Sequence, residues 1–102
     1  MAKVIAMYRT PADVAAFDRY YFGTHVPIAK RIPGLRHYEV TSGPVHSYDG
    51  GAPYHLIATL TFDSLAAVHA ALASPEGQAT ANDLANFATG GAVIYFADTK
   101  SL

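Results

Sequence analysis

Neither cysteine nor tryptophan occurs among the 102 residues. Without cysteine there are no disulfides, thiolate nucleophiles or thiolate-bound metals, so stability must come from packing and reactivity from nitrogen or oxygen groups. Charge is scarce as well: Asp, Glu, Lys and Arg make up 15% of the chain, with a net charge of −1. A chain with no cationic excess lacks the field that holds phosphate backbones, which argues against nucleic acid as a partner. Long apolar runs are also missing. The opening stretch to Met7, interrupted by Lys3 and followed by Arg9, is too short for a signal-peptide hydrophobic region or a bilayer span, so a cytoplasmic protein with no membrane partner is expected.

What is present is apolar. Hydrophobic residues account for 51% of the chain, and seven tyrosines and five phenylalanines supply flat walls with polar tips. The length suits one domain over residues 1–102, able to bury roughly 65% of its unfolded surface. So few charges on so small a domain predict that part of its surface is covered by a second copy, as a homodimer.

Lys3–Arg9 reads as a strand that is apolar at both parities. Thr10-Pro11-Ala12-Asp13 reads as a helix start, with Thr10 as cap, Pro11 at the first helical position and Asp13 reaching back. The helix is expected to run to about Thr24, with Val14, Phe17, Tyr21 and His25 along one stripe and Asp18 at its edge. Gly23 and Pro27 predict an end or kink, followed by a short turn over residues 28–31. After Pro33-Gly34, residues 35–43 alternate like a strand, 44–53 form a polar loop rich in Gly and Pro, and Tyr54–Phe62 is the clearest strand of all. Leu65, Val68, His69 and Leu72 have helical spacing behind a cap at Asp63 or Ser64. Ser74-Pro75 starts a second helical piece whose inner face carries Leu84, Phe87 and Ala88, and Gly90-Gly91 stops it before a last strand, Ala92–Asp98. The resulting β-α-β-β-α-β order is that of the ferredoxin-like α+β sandwich, one four-stranded antiparallel sheet with both helices on one face. The opposite face of the sheet would then need a twin molecule against it.

Five histidines invite a search for chemistry. No HxH or HExxH spacing occurs, so no metal site is expected. Gly50-Gly51 leads into a strand and lacks a phosphate-binding helix, and neither GxSxG nor a dinucleotide fingerprint is present, so no cofactor is expected. His46 and His55 read as solvent-facing or at a dimer seam, and His69 as a boundary residue of its helix; the face of His37 is undecided. On His25 three features converge: the inward stripe, a helix end whose dipole favours a proton, and a chain break that opens a cleft. It is either a functional imidazole or a cap on the helix carbonyls. Tyr21 stands one turn before it and can look into the same pocket. Tyr8 and Tyr38 are strand residues that serve either as packing or as pocket walls, and Phe87 joins them as a candidate contact for a ligand.

Three segments resemble the EthD-like proteins of the dimeric α/β-barrel superfamily: Phe17-Asp18-Arg19-Tyr20-Tyr21 with Thr24-His25-Val26-Pro27-Ile28-Ala29, then Ile32-Pro33-Gly34-Leu35-Arg36, and Ser74–Gln78 running on to Asp83-Leu84-Ala85-Asn86-Phe87. The resemblance implies a homodimer whose sheets close into a barrel, a pocket between sheet and helices near His25, and an association with bacterial catabolism such as ethyl tert-butyl ether degradation. Similar barrels include isomerases, cyclases, cofactor-free monooxygenases and haem-linked enzymes. Two functions follow as expectations. One is a cofactor-independent enzyme in which His25 moves a proton on a small hydrophobic carbonyl, lactone or phenolic compound, as an isomerase, cyclase or decarboxylase does, with Tyr21 or Tyr38 donating to the developing oxyanion. The other is a non-catalytic dimer that binds a hydrophobic ligand or assists a degradation pathway. Haem held by a single histidine is a further alternative.

Overall fold

The computed structural model describes residues 1–51 and 53–102. Strand β1 (Ala2–Arg9) alternates buried and half-buried positions, with Ala2, Val4, Ala6 and Tyr8 on the buried side. Its neighbour β3 (Tyr54–Phe62) buries Leu56, Ala58, Leu60 and Phe62 on the same side. With β2 (His37–Val40) and β4 (Ala92–Asp98) these strands form one antiparallel sheet in the order β2-β3-β1-β4, the ferredoxin-like arrangement. Ala6 lies directly opposite Ala58 on the two central strands, so the middle of the buried face carries only two methyl groups. The space above them is not filled by the sheet itself.

The helical layer begins at α1 (Val14–Tyr20), and its cap corrects the reading from sequence. The Asp13 carboxylate, not Thr10, accepts from the Ala16 amide at 3.0 Å. Thr10 is held elsewhere, its amide donating to the Pro53 carbonyl. The expected break at Gly23 and Pro27 is also absent. The chain widens into a π-helical turn (Tyr21–His25) and continues as α2 (Val26–Ala29). Pro27 has no N–H and its ring crowds the carbonyl four residues back; the wider turn just before it absorbs both without ending the helix. Phe17, Tyr21 and His25 face inward as their spacing predicts, whereas Val14 is exposed at the first turn.

Helix α3 (Leu65–Ala73) is capped by Ser64 and α4 (Pro75–Asp83) by Ser74, each serine oxygen accepting from the amide three residues on. The inner line of α3 is Val68 and Ala71, so His69 and Leu72, predicted on the stripe, stand exposed. Gly77 lets α4 turn back sharply: a Cβ there would sit 2.0 Å from the Ala71 carbonyl oxygen. A 3₁₀ turn (Leu84–Asn86) follows α4 and delivers Phe87 into the core. Phe87 packs against Tyr8, Phe17, Tyr20 and Tyr21 with ring centroids 5.3–5.6 Å apart. Each such aromatic contact adds about 0.5–1.5 kcal/mol beyond area burial.

Among the described residues, no helix covers the other face of the sheet. By register, Ile5, Met7, Ile57, Val93 and Tyr95 point that way, with His37 and Glu39 on the same side of β2. His37 thus lies on the open face, exposed.

Candidate functional site

His25 leaves the π-helical turn pointing into the molecule and is only 3% exposed. Its Nδ1 lies 2.9 Å from Asp83 Oδ2, a carboxylate at the last residue of α4 that is 6% exposed. The other Asp83 oxygen accepts from the Tyr20 hydroxyl at 2.6 Å and from the Asn86 amide at 2.9 Å. Burial pushes the Asp83 carboxyl up, but the bonds from Tyr20, Asn86 and His25 outweigh it and hold the group below the ordinary carboxylate range. An ionised carboxylate can only accept, so Nδ1 of His25 carries the proton and Nε2 keeps its lone pair. Burial also lowers the affinity of His25 for a second proton, and this exceeds the opposing pull of Asp83, so the ring is neutral at pH 7. Nε2 has no hydrogen-bond partner among the described residues. The helix-cap alternative for His25 is set aside, because its hydrogen bond goes to a carboxylate and the helix runs on past it.

A cavity of about 80 Å³ lies beside this ring, over the alanine gap in the sheet. Ala6, Ala58 and Ala29 leave the space, and Tyr8, Tyr21, Tyr38, His25 and Thr80 are the polar side chains of its lining. Leu72 and Ile94, both partly exposed, mark where it approaches the surface between α3 and the β4 edge. The Tyr21 and Tyr38 hydroxyls meet at 2.6 Å. Burial raises all three tyrosines, so each is a neutral hydroxyl able to donate. Among the described residues, no Lys, Arg, Asp or Glu lines the cavity. At roughly 30 Å³ per water it holds the reacting end of a small molecule.

Of the residues singled out from sequence, His25, Tyr8, Tyr21 and Tyr38 converge on this cavity. Phe87 does not line it; it backs the imidazole at 4.6 Å between ring centroids and fixes the ring's tilt. Sequence reasoning missed Asp83, Tyr20 and Asn86. The Asp83 and Asn86 pair at i and i+3 was visible, but nothing in the chain says that the end of α4 lies against the end of α1. Among the described residues no three His, Asp or Glu side chains converge as metal ligands.

A four-stranded sheet with helices on one face and a histidine cavity between the layers defines the class, a small ferredoxin-like α+β protein. Family comparison carries it further. The EthD domain family matches residues 9–91, and the chain belongs to that family. It is 42% identical over 103 residues to an uncharacterized 11.0 kDa protein from the thcB-thcC intergenic region of Rhodococcus erythropolis, covering 100% of this chain and 98% of that one. It also resembles the crystal structure of an ethyl tert-butyl ether d (EthD) family protein from Bacillus halodurans, with a TM-score of 0.89, 34% identity and coverage of 98% and 99% of the two chains. A dimeric ferredoxin-like protein of unknown function from Thermobifida fusca shares the fold at 14% identity, with a TM-score of 0.70 over 96% of this chain and 90% of that one.

Proposed function

We propose that this protein is a cofactor-independent proton-transfer enzyme for a small, uncharged, hydrophobic carbonyl, lactone or phenolic compound. The observation that carries this reading is the buried His25–Asp83 pair, which presents a neutral imidazole with a free Nε2 at the wall of a largely apolar cavity. Nε2 takes a proton from carbon next to a carbonyl, and Asp83 holds the tautomer and balances the imidazolium that forms. Tyr8, Tyr21 or Tyr38 donates to the enolate oxygen. The proton then returns at another carbon, which gives isomerisation, or the enolate carbon closes a ring on a second carbonyl, which gives cyclisation; decarboxylation, an alternative expected from sequence, needs a carboxylate that this lining does not favour. The substrate is uncharged because a carboxylate or phosphate would enter a dry cavity with no cation to meet it. The ether-degradation association in the name of the Bacillus halodurans relative is compatible with this chemistry at a carbonyl product, since an ether has no proton acidic enough for an imidazole.

The test is exchange of α-protons in D₂O, followed by proton NMR over a panel of small cyclic ketones and β-diketones. The native protein accelerates exchange for at least one member, and His25→Gln lowers that rate roughly 10²–10⁴-fold while the fold survives. No acceleration across the panel, with ligand-induced stabilisation still measurable, favours the second reading, a binding or accessory protein. That reading has its own support: Tyr21 and Tyr38 already satisfy each other without any ligand.

The same proposal includes a cytoplasmic homodimer. Ile5, Met7, Ile57 and Tyr95 on the helix-free face supply the apolar surface, and stacking two such faces would bury it. A single 10.8 kDa species in sedimentation at micromolar concentration would exclude the dimer.

A further inference from the structure

A second cavity, of about 530 Å³, lies between α1, the start of β3 and the chain that follows β2. Its apolar lining is Phe22, Val40 and Leu56, and its polar lining includes Asp18 and His55. Phe22 follows Tyr21 in the chain, and Val40 comes two residues after Tyr38 on the same side of β2, yet among the described residues the groove shares no lining residue with the His25 cavity.

The groove is constructed from a local irregularity. Tyr8 pairs with Leu56 but Arg9 pairs with Tyr54, which leaves His55 unmatched in a bulge of β3. Bulges re-aim a side chain, and this one turns His55 towards α1. There its Nε2 lies 2.8 Å from Asp18 Oδ1, and its ring stands edge-on to Phe17 at 5.2 Å. The loop wall is tied down where the Thr41 hydroxyl accepts from the Ile57 amide at 3.1 Å. A carboxylate only accepts, so Nε2 donates to it, and two atoms stay unpaired among the described residues: Asp18 Oδ2 and His55 Nδ1. Asp18 Oδ2 is an acceptor. The groove therefore combines an exposed aromatic ring and aliphatic walls with a carboxylate oxygen that wants a donor and a negative charge that repels an anion.

We propose that this groove is a second ligand site, distinct from the His25 cavity, for an aromatic compound carrying a hydrogen-bond donor such as a phenolic hydroxyl. Phe22, Val40 and Leu56 take the ring, and Asp18 with His55 takes the O–H through a charge-assisted bond.

Three probes on one ring system test it: 2-naphthol, 2-methoxynaphthalene and 2-naphthoate, titrated into the full chain and followed by amide chemical shifts. 2-Naphthol is expected to shift Thr41, Ser42, Gly43 and His55 saturably. 2-Methoxynaphthalene, which has no donor, should bind roughly tenfold more weakly, and 2-naphthoate more weakly still. Asp18→Asn and Asp18→Ala should each erase the preference for naphthol over its methyl ether, with the variants' own spectra showing that they fold. Equal affinity for naphthol and its ether, a preference that survives both substitutions, shifts confined to residues around His25 and Leu84, or no saturable shift would each overturn the assignment. None of these outcomes bears on proton exchange at His25, so the two sites stand or fall separately.

Discussion

His25–Asp83 and His55–Asp18 are the same two side chains at nearly the same separation, 2.9 and 2.8 Å, in opposite surroundings. In the first pair the side chains are 4% and 6% exposed, in the second 22% and 45%. The buried carboxylate is surrounded by three donors and fixes one tautomer of its histidine; the other keeps an oxygen free at a wide groove. Contact geometry alone therefore says little about what such a pair does. On the proposed readings, desolvation makes one a positioned base and partial hydration leaves the other as a recognition element.

The comparison breaks most easily at the aspartates. Asp83→Ala strands the buried His25 N–H and takes the acceptor from the half-buried Tyr20 hydroxyl and the exposed Asn86 amide, and the expected loss is about 2–4 kcal/mol in urea unfolding. Asp18→Ala, at a half-exposed site, should cost no more than about 1 kcal/mol. Equal costs would mean that burial is not what separates the pairs.

The pH dependence sharpens it further. Because His25 is held below the ordinary histidine value of about 6.5, its neutral form contributes stability that is complete above that pH and is lost as the pH falls towards the folded-state value. Asp83, held below the ordinary carboxylate range of about 3.9, contributes above that range and is lost further into acid. Urea midpoints measured from about pH 4 to 8 should thus decline on the acid side, and His25→Gln should flatten the part of the decline that begins near pH 6.5. An unaltered slope in that variant would remove His25 as its source. Proton exchange at the cavity should persist below pH 6.5 for the same reason.

The smallest effect is salt. Raising ionic strength to about 1 M shortens the screening length to about 3 Å, so the small cost of Asp18→Ala should shrink towards zero while that of Asp83→Ala holds. Parallel unfolding curves at low and high salt decide it.

Much of this was legible in the chain, and the rest was not, for a reason that runs through every case. Tyr54–Phe62, the Ser64 and Ser74 caps and the inward stripe of Phe17, Tyr21 and His25 are local matters of alternation, hydrogen bonding three residues on and helical spacing, and they stand where the residues put them. The β-α-β-β-α-β order and the inward placement of His25 needed nothing more. Misreadings came where local rules compete: Asp13 displaced Thr10 as cap because Thr10 is bound to the loop at Pro53, and a π-helical turn carried the chain past Pro27.

Strand order, by contrast, is a choice among distant partners. Only once β3 lies beside β1 do Ala6 and Ala58 meet to leave a cavity, and only then does His55 fall into a bulge facing Asp18. Asp83 is 58 residues from His25 in the chain, a separation over which sequence spacing carries no signal. Residue types determined the layers and the imidazole; the packing of those layers decided which carboxylate holds it, because burial and hydrogen-bond partners belong to the folded whole and not to any segment.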